Sequence, residues 1–179
     1  MDILQEFSMQ DCQGVSTPLS TTISLRLNDG SPPTDAKQYQ SVIGKLQYLS
    51  FTRPDISFVV NKLSQFIHQP SHTHWQAVKC LLRYLKLTIH RGLLFHHGSK
   101  AALHVYSNAD WAGDYNDHTS TSAYVIYLDL TPISWSSKKQ RTVARSSTEA
   151  EYRAVAHIVA ETNWLTNILK ELHISLDNV

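Results

Sequence analysis

The spacing of apolar positions along the 179-residue chain changes character once, near residue 92. Before that point Tyr39, Val42, Ile43, Leu46 and Leu49 recur every three or four residues, which lines one face of a helix. Ile56, Val59, Val60, Leu63, Phe66 and Ile67 do the same, as do Trp75, Val78, Leu82, Leu85 and Ile89. The spacing predicts helices over about 36–50, 54–68 and 71–89. Arg53-Pro54-Asp55 divides the first two, because proline disfavours helix in the residue before it and suits a first turn. Pro70 closes the second. Each stripe needs cover, so the three helices are expected to bury their faces on one another or on a neighbouring domain. Upstream, Thr17 to Ala36 is rich in Ser, Thr, Pro, Asp and Gly and reads as an irregular connection.

Beyond residue 92 the period shortens. Gly92 to His97, a Gly98-Ser99-Lys100 turn and Ala102 to Ser107 predict a hairpin. Ser122 to Leu130 predicts a strand with Tyr124, Ile126 and Leu128 on one face, and Ile133 to Ser136 another after the Thr131-Pro132 turn. A long helix follows from about Ser147 to Leu172, with Val155, Ile158, Val159, Thr162, Leu165, Ile168, Leu169 and Leu172 as its stripe. The fold class is α/β, of the α+β kind: a helical segment, then a three-stranded antiparallel meander covered by one long helix.

Composition narrows the classes. Apolar residues are 42% and charged residues 17%, against about 25% charged in an average chain, which excludes ordinary disorder. Net charge is +1, so no global field draws the chain to nucleic acid or an anionic membrane, and such binding has to come from local patches. Cys12 and Cys80 stand far apart and fit free thiols in a reducing compartment. No apolar run approaches 18 residues and the N-terminus lacks a signal-peptide core, so an intracellular chain with no membrane partner is expected. The ten histidines include no zinc-type spacing.

Three segments carry candidate chemistry. Glu151 shares the apolar stripe of the last helix, seven residues before Ile158, whereas Glu149 is turned about 200° from it. A carboxylate on a core face is costly unless paired or bound to metal. Capping competes with that reading, since Thr148-x-x-Glu151 and Ser146-x-x-Glu149 both fit a capping box. Asn108 to Asp114 leaves a strand end with Asp110 and Asp114, and hard oxygen ligands there beside Glu151 would suit Mg²⁺ or Mn²⁺; the rival is a polar loop with Asp turns. Lys138, Lys139, Arg141 and Arg145 form a cationic stretch before the helix, fit either to grip phosphates or to sit in solvent.

Taken together, these motifs resemble a known family. Tyr39 to Leu49, Thr52-Arg53-Pro54-Asp55-Ile56, His74-Trp75 and Leu82-Arg83-Tyr84-Leu85-Lys86 are similar to the late reverse transcriptase of copia-type retrotransposon Pol polyproteins. Asp110-Trp111-Ala112-Gly113-Asp114, Ile133 to Gln140 and Ser146 to Tyr152 resemble the ribonuclease H domain of the same polyprotein. The resemblance implies a reverse transcriptase or connection segment over 1–97 and the first, truncated part of a ribonuclease H-like domain over 98–179. It implies Mg²⁺-dependent cleavage of RNA in an RNA–DNA hybrid, with Glu151 as the helix metal ligand and Asn108 at the place of the family's first aspartate; Asp110, two residues on, is the candidate second metal ligand. An amide there lacks the charge a cation pair needs, and Asp177-Asn178 follows the helix too closely to be the family's later acid. The expected state is therefore ancestral activity, lost here. The alternatives are a non-catalytic nucleic-acid-binding or scaffold module and an inert relic. The implied partners are an RNA–DNA hybrid or other nucleic acid and the remainder of Pol.

Overall fold

Asp35 opens the first long helix by accepting hydrogen bonds from the backbone N–H groups of Lys37 and Gln38, the arrangement an N-cap aspartate favours. The computed structural model describes residues 2–20, 24–95 and 102–176. Its elements divide between two units, Met1–Gly92 and Leu93–Val179.

The first unit is helical. Helix α1 spans Asp2–Glu6, α2 Ala36–Leu49, α3 Ser57–Ser64 and α4 His72–Leu87, with a single 3-10 turn at Pro54–Ile56 leading into α3. The predicted second helix is thus shorter than its stripe. Pro54 tightens its start, and the Ser64 hydroxyl donates to the Asn61 carbonyl at 2.7 Å, competing with the helical ladder at its end. Tyr39, Val42, Ile43 and Leu46 of α2 pack with Val59, Val60 and Leu63 of α3 and with Val78, Leu81, Leu82 and Leu85 of α4. Each such buried side chain contributes about 1.5–3 kcal/mol. Tyr39 stays satisfied in this core by donating to the Leu63 carbonyl at 2.8 Å, and burial pushes its phenol well above the usual range.

The Thr52-Arg53-Pro54-Asp55 motif is a clamp. The Arg53 guanidinium grips Asp55 through two bonds of 2.8 and 2.7 Å and reaches the Thr88 carbonyl and hydroxyl at 3.1 and 2.8 Å. Tyr84 of α4 donates to the same Asp55 at 2.7 Å. Burial would raise the Asp55 carboxyl, but these donors hold it below the usual carboxylate range.

The second unit carries β1 (Leu103–Asp110), β2 (Thr121–Leu128), β3 (Thr131–Lys139) and α5 (Ser147–Glu171). The strands form one antiparallel sheet in the order β1-β2-β3, the expected meander. A bulge between Ile126 and Tyr127 shifts the β2–β3 register. α5 lies against β1 and β2. Tyr124 stacks toward His157 at 5.7 Å and Ser134 bonds Glu161 at 3.1 Å, so Tyr124, Ile126 and their neighbours across the pleat face the helix.

Three expectations change here. Residues 92–95 form no strand, and β1 pairs with β2 rather than closing a hairpin on them. The Gly98-Ser99-Lys100 turn, His96-His97 and the seam at 97/98 lie outside the described residues, as do Asp177 and Asn178. Lys138 and Lys139 belong to β3, not to a loop, because the ladder with β2 runs on through Thr121↔Lys139. The buried residues of α5 are Ala150, Ala154, Ile158 and Leu169, whereas Val155, Val159 and Leu172 are exposed. No described helix is long and apolar enough to cross a membrane.

Candidate functional site

The segment after β1 is a built turn. Ala112 adopts a left-handed φ of 53° and donates its N–H to the Ser120 hydroxyl at 3.2 Å. The Asp110 carboxylate accepts the Thr121 backbone N–H. Gly113 sits so close to that carboxylate that any Cβ there would collide with it. Asp114 is buried and receives Lys139 at 2.9 Å, while Asp117 takes the same ammonium at 2.8 Å. Burial opposes ionisation of Asp117, yet bonds from Lys139 and Thr119 bring it down to about 2.

Asn108 is exposed on β1. Directly paired residues share a sheet face, so Asn108 and Asp110 stand with Ala123 and Thr121. Tyr124, which meets α5, pairs with Ser107. Alternation therefore directs Asn108 and Asp110 away from the α5 side of the sheet.

At the N-terminus of α5 the two glutamates separate by role. Ser146 caps the helix by accepting the Glu149 N–H at 3.1 Å. Glu149 accepts the Arg145 N–H at 2.7 Å and pairs with Arg153 at 2.6 Å, which together hold its carboxyl low. Glu151 is half-buried and makes no hydrogen bond or ion pair among the described residues. The capping role thus falls to Ser146 and Glu149, leaving Glu151 uncommitted. Among the described residues no three His, Cys, Asp or Glu side chains gather as a metal site would require.

The four predicted phosphate-binding cations also part company. Lys139 is spent on Asp114 and Asp117. Arg145 lies outside the cleft that Lys138 and Arg141 share with Arg153 and His157 between β3 and α5. Arg153 and His157 were not singled out by sequence reasoning. Their signal is the four-residue interval Arg153, His157, Glu161, which stacks them on one side of α5.

Over nearly its whole length the chain matches long polyproteins. It is 48% identical over 178 residues, 99% of its length, to the retrovirus-related Pol polyprotein from transposon RE2 of Arabidopsis thaliana, and 39% identical over 179 residues, 95% of its length, to that from transposon TNT 1-94 of Nicotiana tabacum. The chain belongs to the copia-type Pol polyproteins. It spans only 12% and 13% of those two relatives, so this Pol segment is a fragment of such a polyprotein. A short Plasmopara viticola protein named secreted RxLR effector protein 161 is 50% identical over 129 residues, which cover 72% of the segment and 91% of that protein. No family model matches the segment. No solved structure matches it either.

Proposed function

We propose that the segment is a ribonuclease H-type part of Pol that holds an RNA–DNA hybrid without cutting it. The observation that carries this reading is the state of the three candidate catalytic residues. Asn108 is a neutral amide, Asp110 has one oxygen engaged by the Thr121 N–H, and Glu151 is the one carboxylate of the three left uncommitted. A pair of Mg²⁺ ions needs several anionic oxygens in one place, and these residues do not fit that demand. Lys138, Arg141 and Arg145 remain to take phosphates, each contact steepening the salt dependence by roughly one log–log unit.

Incubating the purified chain with a labelled hybrid and Mg²⁺ tests this. Binding that weakens steeply with salt and leaves the RNA strand intact is expected. Cleavage that disappears in Glu151→Gln would overturn the non-cutting half of the proposal. A hybrid affinity that ignores salt would overturn the other half.

A further inference from the structure

On the α5 side of the sheet lies a cleft of about 480 Å³, within the range of small-ligand pockets. Its walls are Tyr124 and Lys138 from the sheet, Arg141 from the following loop, and Arg153 and His157 from α5. Among the described residues no aspartate or glutamate lines it. The rim is held before any ligand arrives. Gln140 bonds the Ser122 hydroxyl at 2.9 Å and the Ala150 carbonyl at 3.0 Å, and its N–H meets the Ser120 carbonyl at 2.8 Å. Arg153 ties down the Thr142 carbonyl at 2.8 Å and also pairs with Glu149. Lys138 and Arg141, by contrast, are exposed and have no partner among the described residues. With the rim already held by Gln140 and Arg153, closing on an anion orders the side chains of Lys138 and Arg141 but not the groups around them. Next to them the Tyr124 and His157 rings, tilted by 36°, form an aromatic wall on which a flat ring can rest.

We propose that this cleft binds one nucleotide unit, its phosphate between Lys138 and Arg141 and its base against His157 and Tyr124. The site is separate from Asn108 and Asp110, which the pleat turns to the other face of the sheet. It rests on the hybrid-holding reading only for the suggestion that the phosphate belongs to a strand. A free nucleotide offers the same chemistry, so the two sources are tested side by side.

The probes are AMP, adenosine, inorganic phosphate and a short oligodeoxyadenylate, titrated calorimetrically into the full chain and into the Lys138→Ala/Arg141→Ala and His157→Ala variants. The substituted positions are exposed, and circular dichroism serves as the check that each variant keeps its helix content. Expected is AMP binding weakened at least tenfold by the double substitution and severalfold by His157→Ala, with adenosine and inorganic phosphate each much weaker than AMP. If AMP is silent but the oligonucleotide binds and loses the same factors in the variants, the phosphate is that of a strand and the proposal stands. Adenosine or inorganic phosphate binding as well as AMP would overturn it. So would affinities unchanged in both variants, or no binding of AMP or oligonucleotide. Hybrid binding that survives while AMP and oligonucleotide binding fail refutes this cleft and leaves the hybrid-holding reading intact; AMP binding without hybrid binding does the reverse.

Discussion

In the helical unit most large apolar residues marked by their spacing are removed from solvent: Val42, Ile43, Leu46, Leu82 and Leu85 are all 0% exposed, while Ile89, past the end of α4 at Leu87, is 41% exposed. In the sheet unit α5 buries two alanines, Ala150 and Ala154, alongside Ile158 and Leu169, and leaves Val155 and Val159 at 44% and 51% exposure. A helix surrounded by helices is covered over a wide arc, and any large side chain in that arc finds a partner. A single helix laid on a sheet is covered along a narrower line, and small residues on that line let the backbones approach. The two units thus obey the same hydrophobic drive with different contact geometries.

The strongest way to break this contrast is a pair of truncations. Leu81→Ala should cost about 2–5 kcal/mol, by the cavity it leaves in a closed core. Val159→Ala should stay within about 0.5 kcal/mol, because its side chain already faces water. Urea unfolding of both variants measures this, and equal losses would erase the distinction.

Two arginines extend the comparison. Arg53→Ala should destabilise by about 3 kcal/mol, since it removes a buried guanidinium together with its bonds to Asp55 and to Thr88. Arg153→Ala, whose pair with Glu149 is more open to solvent, should lose much less. Thermal melts of the two variants give the ranking, and a reversed order would mean that the sheet unit depends on its surface pairs.

A smaller effect is expected at the start of α5. Ser146→Ala removes the side-chain acceptor for the Glu149 N–H and should cost about 1 kcal/mol. Faster amide hydrogen exchange confined to the first turn of α5 is the readout.

The finest difference is one of pH. His74 is buried, stacked on Phe66 at 3.9 Å, and its Nδ1 accepts the Ser71 N–H at 2.9 Å while Nε2 meets the Arg26 carbonyl at 3.0 Å. Burial lowers its pKa, with the Asp29 carboxylate working in the opposite sense. The unfolded imidazole takes up a proton near its ordinary value of about 6.5 while the folded one still refuses it. Stability of the helical unit is therefore level above that value and falls as pH drops from it toward the lower folded pKa. Substituting His74→Leu should flatten this slope in denaturation curves collected between neutral and mildly acid pH, and a slope that persists would assign it to other groups.

How much was legible follows from these particulars. The stripes of α2 and α4 were readable because their partners are other stripes with the same period. The stripe of α5 was read in part: Ile158 and Leu169 are buried as expected, but spacing counts large apolar residues, and the sheet took in Ala150 and Ala154 while leaving Val155 and Val159 outside. The glutamate pair was ambiguous in sequence, since both fit a capping box. Only the Arg145 N–H and the Arg153 guanidinium assign the clasp to Glu149. Lys138 and Lys139 looked alike as neighbours in a basic run. Successive strand residues point to opposite faces, which gives one a cleft and the other two aspartates.

The ammonium of Lys139 fastens the loop following the first strand to the last residue of the third, passing across the end of the second. That tie works like a hasp at one corner of the sheet. Whatever pulls on the loop at Asp114 also pulls on the strand that carries Lys138, so strain entering on one face has a mechanical route to the cleft on the other.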